Sequence, residues 1–116
     1  MSRERIDRFE ELVAAALDDL PEWIRERMDN VEVFIEERAP RGEPGLLGLY
    51  QGVPLANRSW YSAALPDRIT IFRDAIERQA GDDPARLRKL VAHVVAHEIA
   101  HHFGITDDRL RDIEAY

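Results

Sequence analysis

The residues of this chain best suited to chemistry are His97, Glu98, His101 and Asp107. With Gly104 among them they spell H-E-x-x-H-x-x-G-x-x-D within eleven residues. On an α-helix, residues i and i+4 share a face with Cβ atoms about 5–6 Å apart. The imidazoles of His97 and His101 can therefore converge on one tetrahedral metal at about 2.0–2.1 Å each. Glu98 lies about 100° further round the helix. That is too offset for a third ligand, yet near enough to exchange a proton with water at the metal. Gly104 falls where a helix needs a left-handed residue in order to stop. A stop there turns the chain back and lets Asp107 approach the metal from a loop. Three protein ligands leave a fourth position open, the arrangement of a catalytic zinc site, with Glu98 as general base. Two histidines and a carboxylate also suit iron, and the H-E-x-x-H context is what favours zinc.

These residues need a long helix to carry them. Gly81-Asp82-Asp83-Pro84 reads as its start, with Asp83 as N-cap and Pro84 at the first position. The spacing predicts a helix from Pro84 to about Phe103, with Leu87, Leu90, Val91, Val94 and Val95 on its buried side. Residues 3–18 read as another helix, because Ile6, Phe9, Val13, Ala16 and Leu17 recur at helical spacing. A short second helix follows, with Asp19 as its cap, Pro21 in the first turn, and Trp23 and Ile24 facing inward. Val31–Glu36, Leu46–Gly52 and Ile69–Phe72 read as strands, and Ala39–Gly45 as a loop. Residues 53–66 are irregular, residues 74–80 begin a helix, and Asp108–Tyr116 form a short last one. Helices at both ends with short strands between them predict an α+β fold in one domain spanning residues 1–116.

Composition narrows the partners. With 45% apolar and 34% charged residues the chain reads as an ordinary globular protein. A net charge of −7 argues against a phosphate backbone or an anionic membrane as partner. There is no cysteine, which excludes disulfides and thiolate metal sites and fits a reducing cytoplasm. Neither a signal peptide nor an apolar run of membrane-spanning length is visible.

The string from His93 to Leu110, H-V-V-A-H-E-I-A-H-H-F-G-I-T-D-D-R-L, resembles the minimal zincin-like metallopeptidases, a bacterial family. Leu47–Leu55 and Leu65–Phe72 are similar to that family as well, so the resemblance covers nearly the whole chain. It implies a small mixed sheet packed on the active-site helix, with His97, His101 and Asp107 as zinc ligands and Glu98 as the catalytic carboxylate. Larger metzincins have His in place of Asp107 and a methionine turn below the metal. Here the only methionines are Met1 and Met28, so the floor of the cleft is expected from the last short helix or from a partner. In zincins generally an edge strand above the helix pairs with an extended peptide, and Ile69–Phe72 is the expected strand.

Other residues stand beside these as candidates. Asp108 and Glu114 are alternatives to Asp107 as third ligand. His93, one turn before His97, reads as a core residue or one behind the ligands; His102, on another helix face, reads as exposed or behind the ligands. Tyr50, Tyr61, Arg73, Arg109 and Tyr116 could each polarise a scissile carbonyl, and the sequence does not choose among them. Trp60-Tyr61 reads as packing. The reading that follows is a zinc hydrolase acting on peptides or proteins. A metal-stabilised binding module with little or no hydrolysis is the second reading, and a metal-dependent RNA hydrolase, disfavoured by the charge, is a third.

Overall fold

The computed structural model describes residues 3–55 and 66–109. Helix α1 spans Arg3–Asp18 and α2 Glu22–Arg27; strands β1, β2 and β3 span Val31–Glu36, Gly48–Gln51 and Asp67–Phe72; α3 spans Arg73–Ala80 and α4 Pro84–His102. The architecture is α+β, with the strands in the order β1-β3-β2. β1 runs parallel to β3 with Val33 opposite Ile69 and Ile35 opposite Ile71. β2 runs antiparallel to β3 with Gly48 opposite Ile71 and Tyr50 opposite Ile69. Strand β3 is therefore central, so the expectation that Ile69–Phe72 forms the edge above the helix is corrected. β3 is buried along almost its whole length on both faces, which its place between two strands does not by itself require. The edge next to α4 is β2.

One core lies between the sheet and the helices. Phe9 and Val13 of α1 meet Ile69 and Ile71 of β3, Ile76 of α3, and Val91, Val94, Val95 and Ile99 of α4. Burying each of these side chains contributes about 1.5–3 kcal/mol. Helix α4 begins as its sequence predicts: Asp83 accepts from the Ala85 N–H at 2.9 Å, and Pro84 takes the first turn. Leu87 and Leu90 are half-buried, at the margin of its buried stripe.

Helix α2 departs from expectation. Its cap is Pro21, without any side-chain cap, and the Pro21 carbonyl accepts from the Ile24 and Arg25 N–H groups. Asp19 is not used. A helix of six residues has room for one inward stripe, and Ile24 occupies it. Trp23 is 57% exposed, with the Arg27 guanidinium 5.6 Å from its ring. Strand β2 is shorter than Leu46–Gly52 because Leu46 is held in a turn by the Glu43 carbonyl at 3.0 Å. Beyond α4, residues 107–109 are helical; the rest of the expected last helix lies outside the described residues.

A buried carboxylate fastens this frame. Asp67, at the first position of β3, is 2% exposed. It accepts from the Tyr50 hydroxyl, from His102 Nδ1 at 2.8 Å and from the Val53 N–H at 3.3 Å. His102 Nε2 in turn accepts from the Asp29 N–H at 3.3 Å, which leaves the ring neutral with its proton on Nδ1. His102 is fully buried, which corrects the expectation of an exposed residue. Gly52 approaches this carboxylate so closely that a Cβ would sit 2.3 Å from Asp67 Oδ1. Gly52→Ala is therefore expected to destabilise the protein by about 1–3 kcal/mol, as overpacking does; urea unfolding of the two proteins measures it, and equal midpoints would refute the close approach.

Candidate metal centre

The end of α4 is built by its own sequence. The Ile105 N–H bonds the Ala100 carbonyl at 3.0 Å and the Gly104 N–H bonds the His101 carbonyl at 2.9 Å. Gly104 sits at φ +95°. These two bonds and the left-handed glycine form the Schellman C-cap. The cap folds Ile105 back beside the last turn, and its carbonyl oxygen comes 2.8 Å from His101 Nδ1. A carbonyl only accepts, so Nδ1 carries the proton and donates it, and Nε2 of the neutral ring is a bare lone pair. Thr106 then caps the next helical turn, its Oγ1 accepting from the Arg109 N–H at 3.3 Å. Asp107 is the first residue of that turn.

Cap and turn together bring Asp107 over the histidines. Its Oδ1 lies 3.2 Å from His97 Nε2 and 3.0 Å from His101 Nε2. One donor atom from each of the three residues lies within 4.8 Å of the others. For His101 this contact sets two acceptors against each other, which is stable only with a cation between them, a proton or a metal ion. Zinc ligands about 2.0–2.1 Å from a tetrahedral centre are about 3.3 Å apart, close to the spacings here. Two imidazoles and a carboxylate are also a donor set that zinc accepts. The residues present therefore fit the metal, and His97, His101 and Asp107 are those that could hold it.

Glu98 lies beside them under β2. It is 6% exposed. Gly48 passes so near that a Cβ would stand 2.9 Å from Val94 Cγ1 and 3.0 Å from Glu98 Oε2. Only a glycine lets the strand come this low over the helix. Burial pushes the Glu98 carboxyl above the ordinary carboxylate range; His97 and His101 oppose that shift and Asp107 adds to it. Among the described residues, Glu98, His97, His101 and Asp107 share one recess with Leu46, Gly48, Leu49 and Tyr50.

The other sequence candidates fall elsewhere. His93 is exposed, its ring 6.2 Å from that of His97, so it is not a core residue. Tyr50 walls the recess with its ring 6.4 Å from that of His101, but its hydroxyl is given to Asp67. Arg73 is buried, 3.3 Å from Glu37 and 2.8 Å from Glu77. Asp108 and Arg109 are exposed on the turn that begins with Asp107. Glu114, Trp60, Tyr61 and Tyr116 lie outside the described residues. Sequence reasoning missed Asp67 and the role of His102. For His102 a signal existed: it continues the apolar stripe of Val91, Val95 and Ile99, where a histidine needs a buried partner.

With this geometry established, known proteins are informative. The sequence model of the zincin-like metallopeptidases matches residues 28–116. The chain belongs to that family. No curated protein matches it. Among solved structures, a conserved hypothetical protein from Thermo thermophilus is similar at 24% identity and a TM-score of 0.57, over 95% of this chain and 97% of that one. That likeness extends the fold and carries no activity with it. This zincin-like protein has, among its described residues, no helix long and apolar enough to cross a membrane.

The pH response of Glu98 follows from its burial. A carboxyl raised in the folded state contributes stability that is full below its unfolded pKa, about 4.3, and is lost as pH rises through the folded value. In metal-free protein, Glu98→Gln is expected to match wild type in thermal midpoint near pH 4 and to exceed it increasingly toward pH 8. A difference independent of pH would show that burial does not govern this carboxyl.

Proposed function

We propose that this chain is a zinc-dependent peptidase in which His97, His101 and Asp107 hold the metal and Glu98 is the general base. The observation that carries the reading is the meeting of two imidazole nitrogens on one carboxylate oxygen at 3.0–3.2 Å, with His101 Nδ1 engaged by the Ile105 carbonyl so that Nε2 is the atom turned to the carboxylate. Bound there, zinc would supply Lewis acidity for the scissile carbonyl and for the attacking water.

The chain's own residues account for the rest. Glu98 takes a proton from water as the water oxygen adds to the carbonyl carbon. It returns that proton to the amide nitrogen as the C–N bond breaks, which leaves a carboxylic acid and an amine. Its burial suits the task, because a carboxyl raised above the ordinary carboxylate range is a stronger acceptor for a proton than an exposed one. The His101–Ile105 hydrogen bond holds one imidazole in the tautomer and orientation that ligation requires. The β2 edge, with β3 as its partner on the other side, offers backbone groups along which an extended peptide or protein segment can lie across the recess.

A second reading, a metal-stabilised protein-binding module with weak or no hydrolysis, draws on one observation. The Asp107 side chain is 71% exposed, so the site is open on that side. Turnover separates the two. Wild type is expected to bind about one zinc per chain by elemental analysis, and His97→Ala and Asp107→Ala to lose or weaken it. Glu98→Gln is expected to keep the zinc while peptide hydrolysis falls by about a hundred- to ten-thousand-fold. Stoichiometric zinc in wild type with no cleavage of any peptide in a mixed-sequence library would favour the binding module. Full activity in Glu98→Gln would overturn the mechanism.

A further inference from the structure

Three recesses lie in line along one face of α4 and share residues where they meet. The first, about 370 Å³, is the candidate metal centre. The second, about 230 Å³, shares His97, Glu98 and Gly48 with the first and adds the apolar Leu47 and Val94. The third, about 300 Å³, shares His93 with the second and is lined by Arg86 and Lys89 over Ala80 and Leu90. At about 100° per residue, Arg86, Lys89, His93, His97 and His101 fall within about 120° of one another on the helix surface. The cleft thus continues from the metal centre through an apolar step to a basic end.

That end has a sign opposite to the protein as a whole, whose net charge is −7. No described residue lining it is acidic. The Arg86 guanidinium leans toward the Gln79 carbonyl oxygen, 3.5 Å away, at its rim. Lys89 and Arg86 stand about 12 and 16 Å from His97 along the helix axis. An extended chain at about 3.3 Å per residue covers that distance in three to five residues.

We propose that the basic recess binds a carboxylate of the substrate, so that the chain prefers peptides bearing a negative charge three to five residues from the scissile bond. The proposal rests on the peptidase reading above and names its substrate class. The carboxylate has two sources, an acidic side chain or a free C-terminus. β2 runs the same way as α4, with Gly48 against Val94 and Glu98 and the Tyr50 ring beside those of His101 and His102. A peptide added antiparallel to β2 sends its C-terminal part toward Arg86 and Lys89. One added parallel sends its N-terminal part there, where only a side chain can supply the charge.

The test uses fluorescent peptides of one length, carrying Asp-Glu or Lys-Arg four and five residues to either side of a common centre, each as free acid and as amide. Binding to zinc-loaded Glu98→Gln is read by anisotropy, and cleavage by wild type as kcat/KM. Exposed charges are screened and modest in strength, so acidic peptides are expected to bind about five- to tenfold more tightly than basic ones at low salt, and about equally in 0.5 M salt. Arg86→Glu with Lys89→Glu, placed in the Glu98→Gln protein, is expected to reverse the preference. Tighter binding of free acids than of amides, whatever the side chains, assigns the C-terminal carboxylate, and a preference for Asp-Glu that persists on amidation assigns an acidic side chain. Equal binding of acidic and basic peptides by Glu98→Gln at low salt, with free acids bound no more tightly than amides, would overturn the proposal, a comparison that needs no charge-reversed variant. Acidic preference in binding without cleavage by wild type would leave the recess standing and remove the peptidase reading; cleavage without charge preference would do the reverse.

Discussion

The buried carboxylate of Asp67 is the constraint on which the arrangement of this protein turns. A charge 2% exposed is tolerated only when donors surround it. Here they come from separate parts of the chain: Tyr50 in β2, Val53 just beyond it, and His102 at the end of α4. The backbone joins in, because the Asp67 N–H bonds the Asn30 carbonyl at 2.8 Å and His102 reaches the Asp29 N–H. None of these segments can shift without leaving a polar group unpaired in the interior, which costs more than the bond itself contributes. The edge strand is thereby fixed in height over the helix. At Gly48 and Gly52 the backbone comes so near its neighbours that a Cβ would clash.

Against that rigid joint, the candidate metal centre divides into a local and a tertiary half. The donors belong to one continuous stretch of chain, ordered by a helix, its C-cap and one further turn. Their mutual distances owe little to the sheet. The surroundings of Glu98 are the opposite case. Its carboxyl is raised because β2 covers it, and β2 lies there because of Asp67 and Gly48. The position of Asp107 and the acidity of Glu98 are thus set by different parts of the fold.

The same division explains what the sequence discloses. The limits of α4 were legible because Asp83, Pro84 and Gly104 act on their immediate neighbours, and backbone rules at that range do not depend on the rest of the chain. The α+β class followed from the order of elements. The order of strands did not, because the alternation in Ile69–Phe72 tells which side chains share a face and nothing about what lies on either side. The Asp67–His102 pair joins residues 35 apart and leaves no local mark. Asp67 after Pro66 reads as a turn residue, and only the fold reveals it as a buried anchor. Trp23 misleads for a related reason: a helix of two turns cannot bury both of its large side chains.

The Schellman cap at Gly104 also bears on what a bound ion could do for the rest of the molecule. His97 and His101 are already held side by side by the helix, so ligation by Asp107 closes only the short loop between residues 101 and 107. The entropy removed from an unfolded chain by closing a loop grows with its length, and here that length is near its minimum. A metal at this position therefore restrains one end of one helix and little else. The three-dimensional order of the protein rests on its apolar core and on Asp67, and an ion bound there would act on that order only through its affinity for the folded state.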